Sequence, residues 1–172
     1  MASGSVPERL TWAVRVLDPA PDDRVLEIGC GRGVAAGLIR ARLTTGTVTG
    51  LDRSATAVEA ARRRHPDGRD TFHAVALEAA EFPDDSFDRI LAVNVNVFWV
   101  RSPDRELAAL RRWLTPAGTL CLCWEPPDAR RAEEIAGKVA PLVASHGFTT
   151  EVRAATAATG SSLVAVVARR PP

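Results

Sequence analysis

The chain has 172 residues, one domain's length on the usual prior, with 22 basic residues against 21 acidic ones and a formal net charge of +1. That balance excludes the strongly basic profile of a dedicated nucleic-acid binder and the acidic bias of a disordered tail. Hydrophobic residues at 46% and charged residues at 25% describe a globular chain able to bury a core without staples.

Residues 1–7 carry no basic stretch followed by an apolar run, so no signal peptide is expected. Leu10, Val14 and Leu17 fall at helical spacing behind Pro7, which predicts a helix over 7–17, stopped by Pro19 and Pro21. A buried strand over 24–28 runs into glycines, and a helix follows over 34–43. The next strand covers 47–51 and is closed by Asp52; Ser54 caps a helix reaching Arg64, which Pro66, Asp67 and Gly68 end. A short strand over 72–75 leads into a loop over 76–86, and 87–93 is a further strand. Leu107, Leu110 and Leu114 mark a helix over 103–114, followed by a turn at Pro116, Ala117 and Gly118. The apolar run 119–124 suits the centre of a sheet. A helix over 128–145 contains Pro141, which predicts a kink or an early stop. Two last strands, 148–153 and 163–168, are joined by a stretch too short for a crossover helix and should pair antiparallel. Strands alternating with helices read as an α/β fold with a mostly parallel sheet. No run of 18 apolar residues exists, so no membrane span is expected.

The three cysteines, Cys30, Cys121 and Cys123, lack disulfide or zinc spacing, which points to reduced thiols and a cytoplasmic setting. His65, His73 and His146 are scattered, so no metal site is expected. Tyr is absent, which excludes any mechanism that needs a phenol.

The most informative stretch is Glu27-Ile28-Gly29-Cys30-Gly31-Arg32-Gly33, a strand passing through three glycines into a helix. Glycines permit positive φ and close approach of a ligand to the backbone, and the helix start offers unpaired N–H groups. A small polar ligand at the carboxyl end of the first strand is the physical expectation. The dinucleotide pattern G-x-G-x-x-G is not met, because Val34 stands at its third glycine, and the lysine of a phosphate loop is missing. Glu27 is unfavourable beside a pyrophosphate but suits a ligand with a cationic amino group. Asp52 can accept both hydroxyls of a ribose. A ligand with a ribose and an ammonium, and no phosphate, fits both carboxylates.

These residues, together with Gly50-Leu51-Asp52-Arg53-Ser54, Phe82-Pro83-Asp84-Asp85-Ser86-Phe87-Asp88 and Leu114-Thr115-Pro116-Ala117-Gly118-Thr119-Leu120, resemble the class I S-adenosylmethionine-dependent methyltransferases. The likeness is greatest to the type 11 domain of ubiquinone- and menaquinone-biosynthesis-like members, and it covers roughly residues 24–124. The resemblance implies a Rossmann-like three-layer sandwich with a seven-stranded sheet in the order 3-2-1-4-5-7-6, strand 7 antiparallel. It implies one domain over 1–172: an N-terminal helix or lid over 1–23, a cofactor-binding core over 24–125, and a C-terminal helix and strand pair over 126–172. It implies S-adenosyl-L-methionine as cofactor and S-adenosyl-L-homocysteine as product. Glu27 and the loop Gly29, Cys30, Gly31 and Gly33 would face the methionine part. Asp52 would hold the ribose and Arg53 would flank the adenine. Leu77 and Glu78 would contact the adenine edge, and Asn94 would stand near the methionine moiety. Many relatives carry Asp where this chain has Ala76, which implies either weaker cofactor binding or substitution by Glu78 reaching back.

Plainer readings stand beside these. Glu27 also reads as a carboxylate capping the following helix, and Asp52 as a strand end. Cys30 reads as a small loop residue, not a nucleophile, and Cys121 and Cys123 as packing. His65 fits a dipole contact at a helix end, and Arg62, Arg63 and Arg64 a solvated helix face. Asn96 and Trp99, past strand 4, are candidate acceptor contacts, with core packing as the alternative for Trp99. Glu125 reads as a base, a substrate contact or a loop charge. Trp12 is a candidate pocket residue, because it sits on the N-terminal helix, which in the family resembled often closes over the substrate; a role outside the pocket is the alternative. No catalytic residue is assigned, because a sulfonium is already an activated electrophile and transfer mainly needs alignment.

The expectation is an enzyme moving a methyl group to a small-molecule acceptor, with no nucleic-acid partner and with a homodimer as one way to complete a minimal lid. A catalytically inactive cofactor-binding domain acting as sensor or partner is the alternative. A nicotinamide-dependent reductase is disfavoured by Val34 and Glu27.

Overall fold

The computed structural model describes residues 5–172; the first four residues, on which much of the leader reading rests, lie outside it. Seven strands form one sheet: β1 (Arg24–Ile28), β2 (Thr47–Asp52), β3 (Thr71–Ala74), β4 (Phe87–Val93), β5 (Leu114–Trp124), β6 (Thr149–Thr156) and β7 (Ser162–Arg169). Their order is β3-β2-β1-β4-β5-β7-β6, and β7 runs antiparallel to both of its neighbours. Six helices cover it: α1 (Glu8–Leu17), α2 (Val34–Arg40), α3 (Ala55–Arg64), α4 (Val97–Val100), α5 (Asp104–Trp113) and α6 (Ala129–Ser145). The expected Rossmann-like sandwich and strand order are the ones observed.

The strand alternation builds two cores. Leu26, Ile28, Ile90, Leu120, Leu122 and Trp124 point to one face and pack beneath α4, α5 and α6. Val25, Val48, Leu91, Cys121 and Cys123 point to the other face, beneath α1, α2 and α3. Cys121 and Cys123 are therefore core packing, with their sulfurs 3.4 Å apart. Glu27 alternates with Leu26 and Ile28, so its carboxylate enters the apolar layer under α2.

Several boundaries depart from the sequence expectation. The helix after the glycine loop stops at Arg40, not near residue 43, because Arg42 and Leu43 tighten into three-residue hydrogen bonds to Ile39 and Arg40. Pro141 does not end α6, which runs 17 residues through it. Both Pro141 and Gly137, whose carbonyl loses its helical donor, are exposed, so that carbonyl is open to solvent. The segment after β4 is not all loop: Val97–Val100 make one helical turn anchored by the fully buried Phe98. The stretch expected as loop at 76–86 contains a 3-10 turn over Leu77–Ala79. The turn at Pro116–Gly118 is carried within β5 as a register break, where Phe87 pairs Leu114 but Arg89 pairs Thr119. No helix among the described residues is long and apolar enough to cross a membrane.

Candidate functional site

Strand order reverses about β1, because the chain moves to β2 and β3 on one side and to β4 on the other. Crossover helices then leave on opposite faces, and a crevice opens at the carboxyl ends of β1 and β4. The glycine loop closes its floor. Gly29 and Gly33 have φ of 70° and 74°, a region that side-chain-bearing residues seldom adopt. A Cβ on Gly33 would also lie 3.1 Å from Ala61 and from the His65 ring, so the loop packs directly on α3.

Asp52 shapes this loop. Its Oδ2 accepts the Gly31 N–H at 2.9 Å and its Oδ1 accepts the Ser54 N–H at 2.8 Å. Each oxygen keeps a second lone pair on the half-buried carboxylate. Ser54 in turn caps α3 through the Ala57 N–H, as its sequence position suggested. His65 does more than meet a helix dipole. Its Nε2 lies 2.9 Å from the Gly33 carbonyl oxygen and its Nδ1 3.3 Å from the buried Asp70. Asp70 also accepts from Arg40 and from the Val48 N–H, which ties the back of the loop to β2. Arg62 and Arg64 donate to the carbonyls of Phe72 and Arg32, so two of the three arginines brace the same region.

Glu27 is 4% exposed, and one of its oxygens, Oε2, has no hydrogen-bond partner. Burial raises its pKa from 4.5 to about 8; the Ala36 N–H at the start of α2 pulls it down and Asp52 pushes it up. The capping reading of Glu27 therefore accounts for one oxygen and leaves the other open. Cys30 is buried as well, and its thiol is pushed up to about 12 by burial and by the nearby Glu27 and Asp52 carboxylates. A thiol so far from ionising is no nucleophile.

The crevice is a cavity of about 480 Å³ that gathers Gly29, Asp52, Arg53, Leu77, Glu78 and Asn94. Ala76, Asn96 and Arg101 also line it. Glu27, Cys30, Gly31 and Gly33, expected to face the ligand, are not among the residues that line it. Asn94 holds a left-handed backbone, φ 56°, and its Oδ1 accepts the Glu125 N–H at 3.0 Å. A second cavity of about 330 Å³ shares Asn94 and Asn96 with the first and adds Trp99, Trp124, Glu125 and Arg131. Trp12 is apart from both: it is half-buried on α1 against the apolar core of that face. Glu125 is bound to Arg9 at 3.1 Å and to the Ser161 hydroxyl at 2.7 Å. Arg101 and Arg131 were not singled out in the sequence. The double proline before Asp128, which caps α6 through the Arg131 N–H, is the signal that fixes Arg131 at the cavity.

Residues 25–118 match the family described as methyltransferase domain. A fatty-acid O-methyltransferase of Mycolicibacterium smegmatis is 35% identical over 95 residues, 55% of this chain and 34% of that protein. A protein-L-isoaspartate O-methyltransferase of Roseiflexus castenholzii is 33% identical over 156 residues, 86% of this chain and 71% of that protein. The chain thus spans 34% to 42% of the length of several curated relatives it matches and more of others. Among solved structures, an S-adenosylmethionine-dependent methyltransferase from Mesorhizobium loti superposes with a TM-score of 0.77 at 20% identity, over 97% of this chain and 99% of that one.

Proposed function

The chain belongs to the S-adenosylmethionine-dependent methyltransferases, and from that premise we propose that it moves a methyl group to a small-molecule acceptor held beside its glycine-loop crevice. S-adenosylmethionine is the family's cofactor, and the residues here fit it. The observation that carries the reading is the orphaned Oε2 of Glu27, next in sequence to the cavity-lining Ile28 and Gly29. A buried carboxylate oxygen with no partner calls for a cationic donor, and a ligand ammonium is one. Asp52 would receive the ribose hydroxyls on lone pairs its backbone partners leave free. Arg53, Leu77 and Glu78 would flank the adenine, with Glu78 standing in for the carboxylate missing at Ala76. Asn94 would sit at the methionine end, its backbone fixed by the Cys123 carbonyl and its side chain by Glu125.

Bound there, the cofactor supplies an electrophilic methyl group. The chain's own work is to hold an acceptor in line through the wall formed by Asn94 and Asn96. The test is titration calorimetry with S-adenosylhomocysteine. Glu27→Gln and Asp52→Asn should each weaken binding at least tenfold, the loss of one charge-assisted contact. Unchanged affinity in both variants would sink the reading.

The second reading is a cofactor-binding domain without turnover, acting as a sensor or partner. Ala76 favours it, because the cavity wall there offers only a methyl group. Binding of S-adenosylhomocysteine with no methylated product from any acceptor class would select it.

A further inference from the structure

We infer that the second cavity is the acceptor site and that the acceptor is a carboxylic acid with an apolar body, methylated on a carboxylate oxygen. The inference rests on the methyl-transfer reading above and names its substrate class. It follows from which polar groups of that cavity are already committed.

Asn94 Oδ1 accepts from the Glu125 N–H, and Asn96 Oδ1 accepts from Trp99 Nε1 at 3.2 Å. Both partners are obligate donors, so the engaged atom of each amide is its oxygen. The opposite end of each is then an NH2, and among the described residues neither has an acceptor. Glu125, the one carboxylate in the lining, has Oε2 on Arg9 and Oε1 on Ser161. The Trp99 carbonyl is taken by Lys138 Nζ at 2.5 Å, and the Asn96 carbonyl by the Trp99 and Val100 N–H groups. Among the described residues, the side-chain donors of the lining without a partner are the two amide NH2 groups and the Trp124 indole N–H, with the Arg131 guanidinium, held by Glu134 alone, beside them. Arg131 sits 4.6 Å over the Trp99 ring, is 42% exposed, and is paired only with the exposed Glu134. Each side-chain acceptor of the site already holds one donor while its amide NH2 groups hold no acceptor, so the site offers more to an oxygen acceptor than to an ammonium.

The chemistry agrees. A hydroxyl, phenol or ammonium acceptor must lose a proton, and no free base lines the cavity: Glu125 is engaged and no histidine is present. A carboxylate is already ionised at neutral pH. One of its oxygens supplies the electron pair of the new O–CH3 bond. The methyl–sulfur pair leaves with sulfur, the sulfonium charge is cancelled, and a neutral methyl ester results with no proton transferred. Trp99, Trp124 and Ile135 give the apolar wall for the rest of the acid.

The experiment uses the full chain with butanoate, octanoate, dodecanoate and benzoate, and with the amines and alcohols of the same carbon skeletons. Cofactor affinity is measured first, by calorimetry. Then binding of each probe to the S-adenosylhomocysteine-loaded protein is read, and transfer from methyl-labelled cofactor. Expected is binding and labelling by at least one acid, with volatile label released by mild alkali as an ester requires. Arg131→Gln should weaken that acid about tenfold while cofactor affinity holds. Labelling of an amine or alcohol with the acids inert overturns the inference, as does a cofactor-loaded protein that binds no acid, or an acid affinity that Arg131→Gln leaves alone. Failure to bind cofactor overturns the methyl-transfer reading instead.

Discussion

Glu27 concentrates the physics of the site in one side chain. Its pKa is 4.5 in the open chain and about 8 when buried in the folded one. Between those values the folded state holds a proton that the unfolded state has released, so stability falls as pH rises through that window. The contribution is fully present below 4.5 and gone above about 8. A shift of that size corresponds to about 5 kcal/mol. Urea unfolding of the free protein at pH 5 and pH 8 should therefore show a marked loss for the wild type and a much flatter profile for Glu27→Gln; parallel profiles would refute the assignment. A ligand ammonium reverses the preference, because it favours the ionised carboxyl, and binding at neutral pH should release a proton to the buffer. At this scale the sequence was informative where chemistry and position coincide. Glu27 and Asp52 stand at strand ends beside glycines, and their charges are readable there. The partners of His65 were not. Asp70 lies in a loop, and only the pairing of β2 with β3 and the packing of α3 bring it under the imidazole ring.

Elements were legible wherever a period or a capping residue marked them. The seven strands and the longer helices lie close to their expected positions, and Ser54 and Asp128 cap the helices they precede. The turn Val97–Val100 was not legible, since four residues carry no period; Phe98, buried on α4, holds it by tertiary contact alone. Pro141 shows the opposite error, a local signal overridden by its surroundings. The helix continues because the helical face that loses its hydrogen bond is exposed, while Val139 and Val143 on the other face are fully buried. Pro141→Ala restores a backbone donor and removes the ring clash, against some lost stiffness of the unfolded chain. It should raise stability by about 1–2 kcal/mol, seen as an increase of several degrees in the thermal midpoint. A decrease would mean that the proline ring is itself a packing element.

At the level of the molecule, α1, the end of β5 and the turn between β6 and β7 meet beside the second cavity. Arg9 on α1 holds Glu125 at the end of β5, Ser161 before β7 holds its other oxygen, and Glu8 accepts the Ala158 N–H between β6 and β7. The sheet order makes this possible: β7 inserts between β5 and β6, so the last hairpin turn returns beside the carboxyl end of β5. Motif reading reached Glu125 and left its role open, because nothing in the local pattern says which residue, 116 positions away, neutralises it. The tie decides what the cavity accepts. With Arg9 in place the cavity's only carboxylate is compensated; without it, an incoming acid meets an unpaired negative charge a few ångströms away. A double-mutant cycle on Arg9→Ala and Glu125→Gln, read by thermal unfolding, should give a coupling of about 0.5–1 kcal/mol, as for half-exposed ion pairs. Binding of the carboxylate probe should respond more sharply. It should weaken several-fold in Arg9→Ala, weaken further as ionic strength falls, and recover when Glu125→Gln is added, while cofactor affinity stays constant. If acid binding is indifferent to Arg9 but the stability coupling is present, the tie between α1 and the end of β5 serves the fold alone.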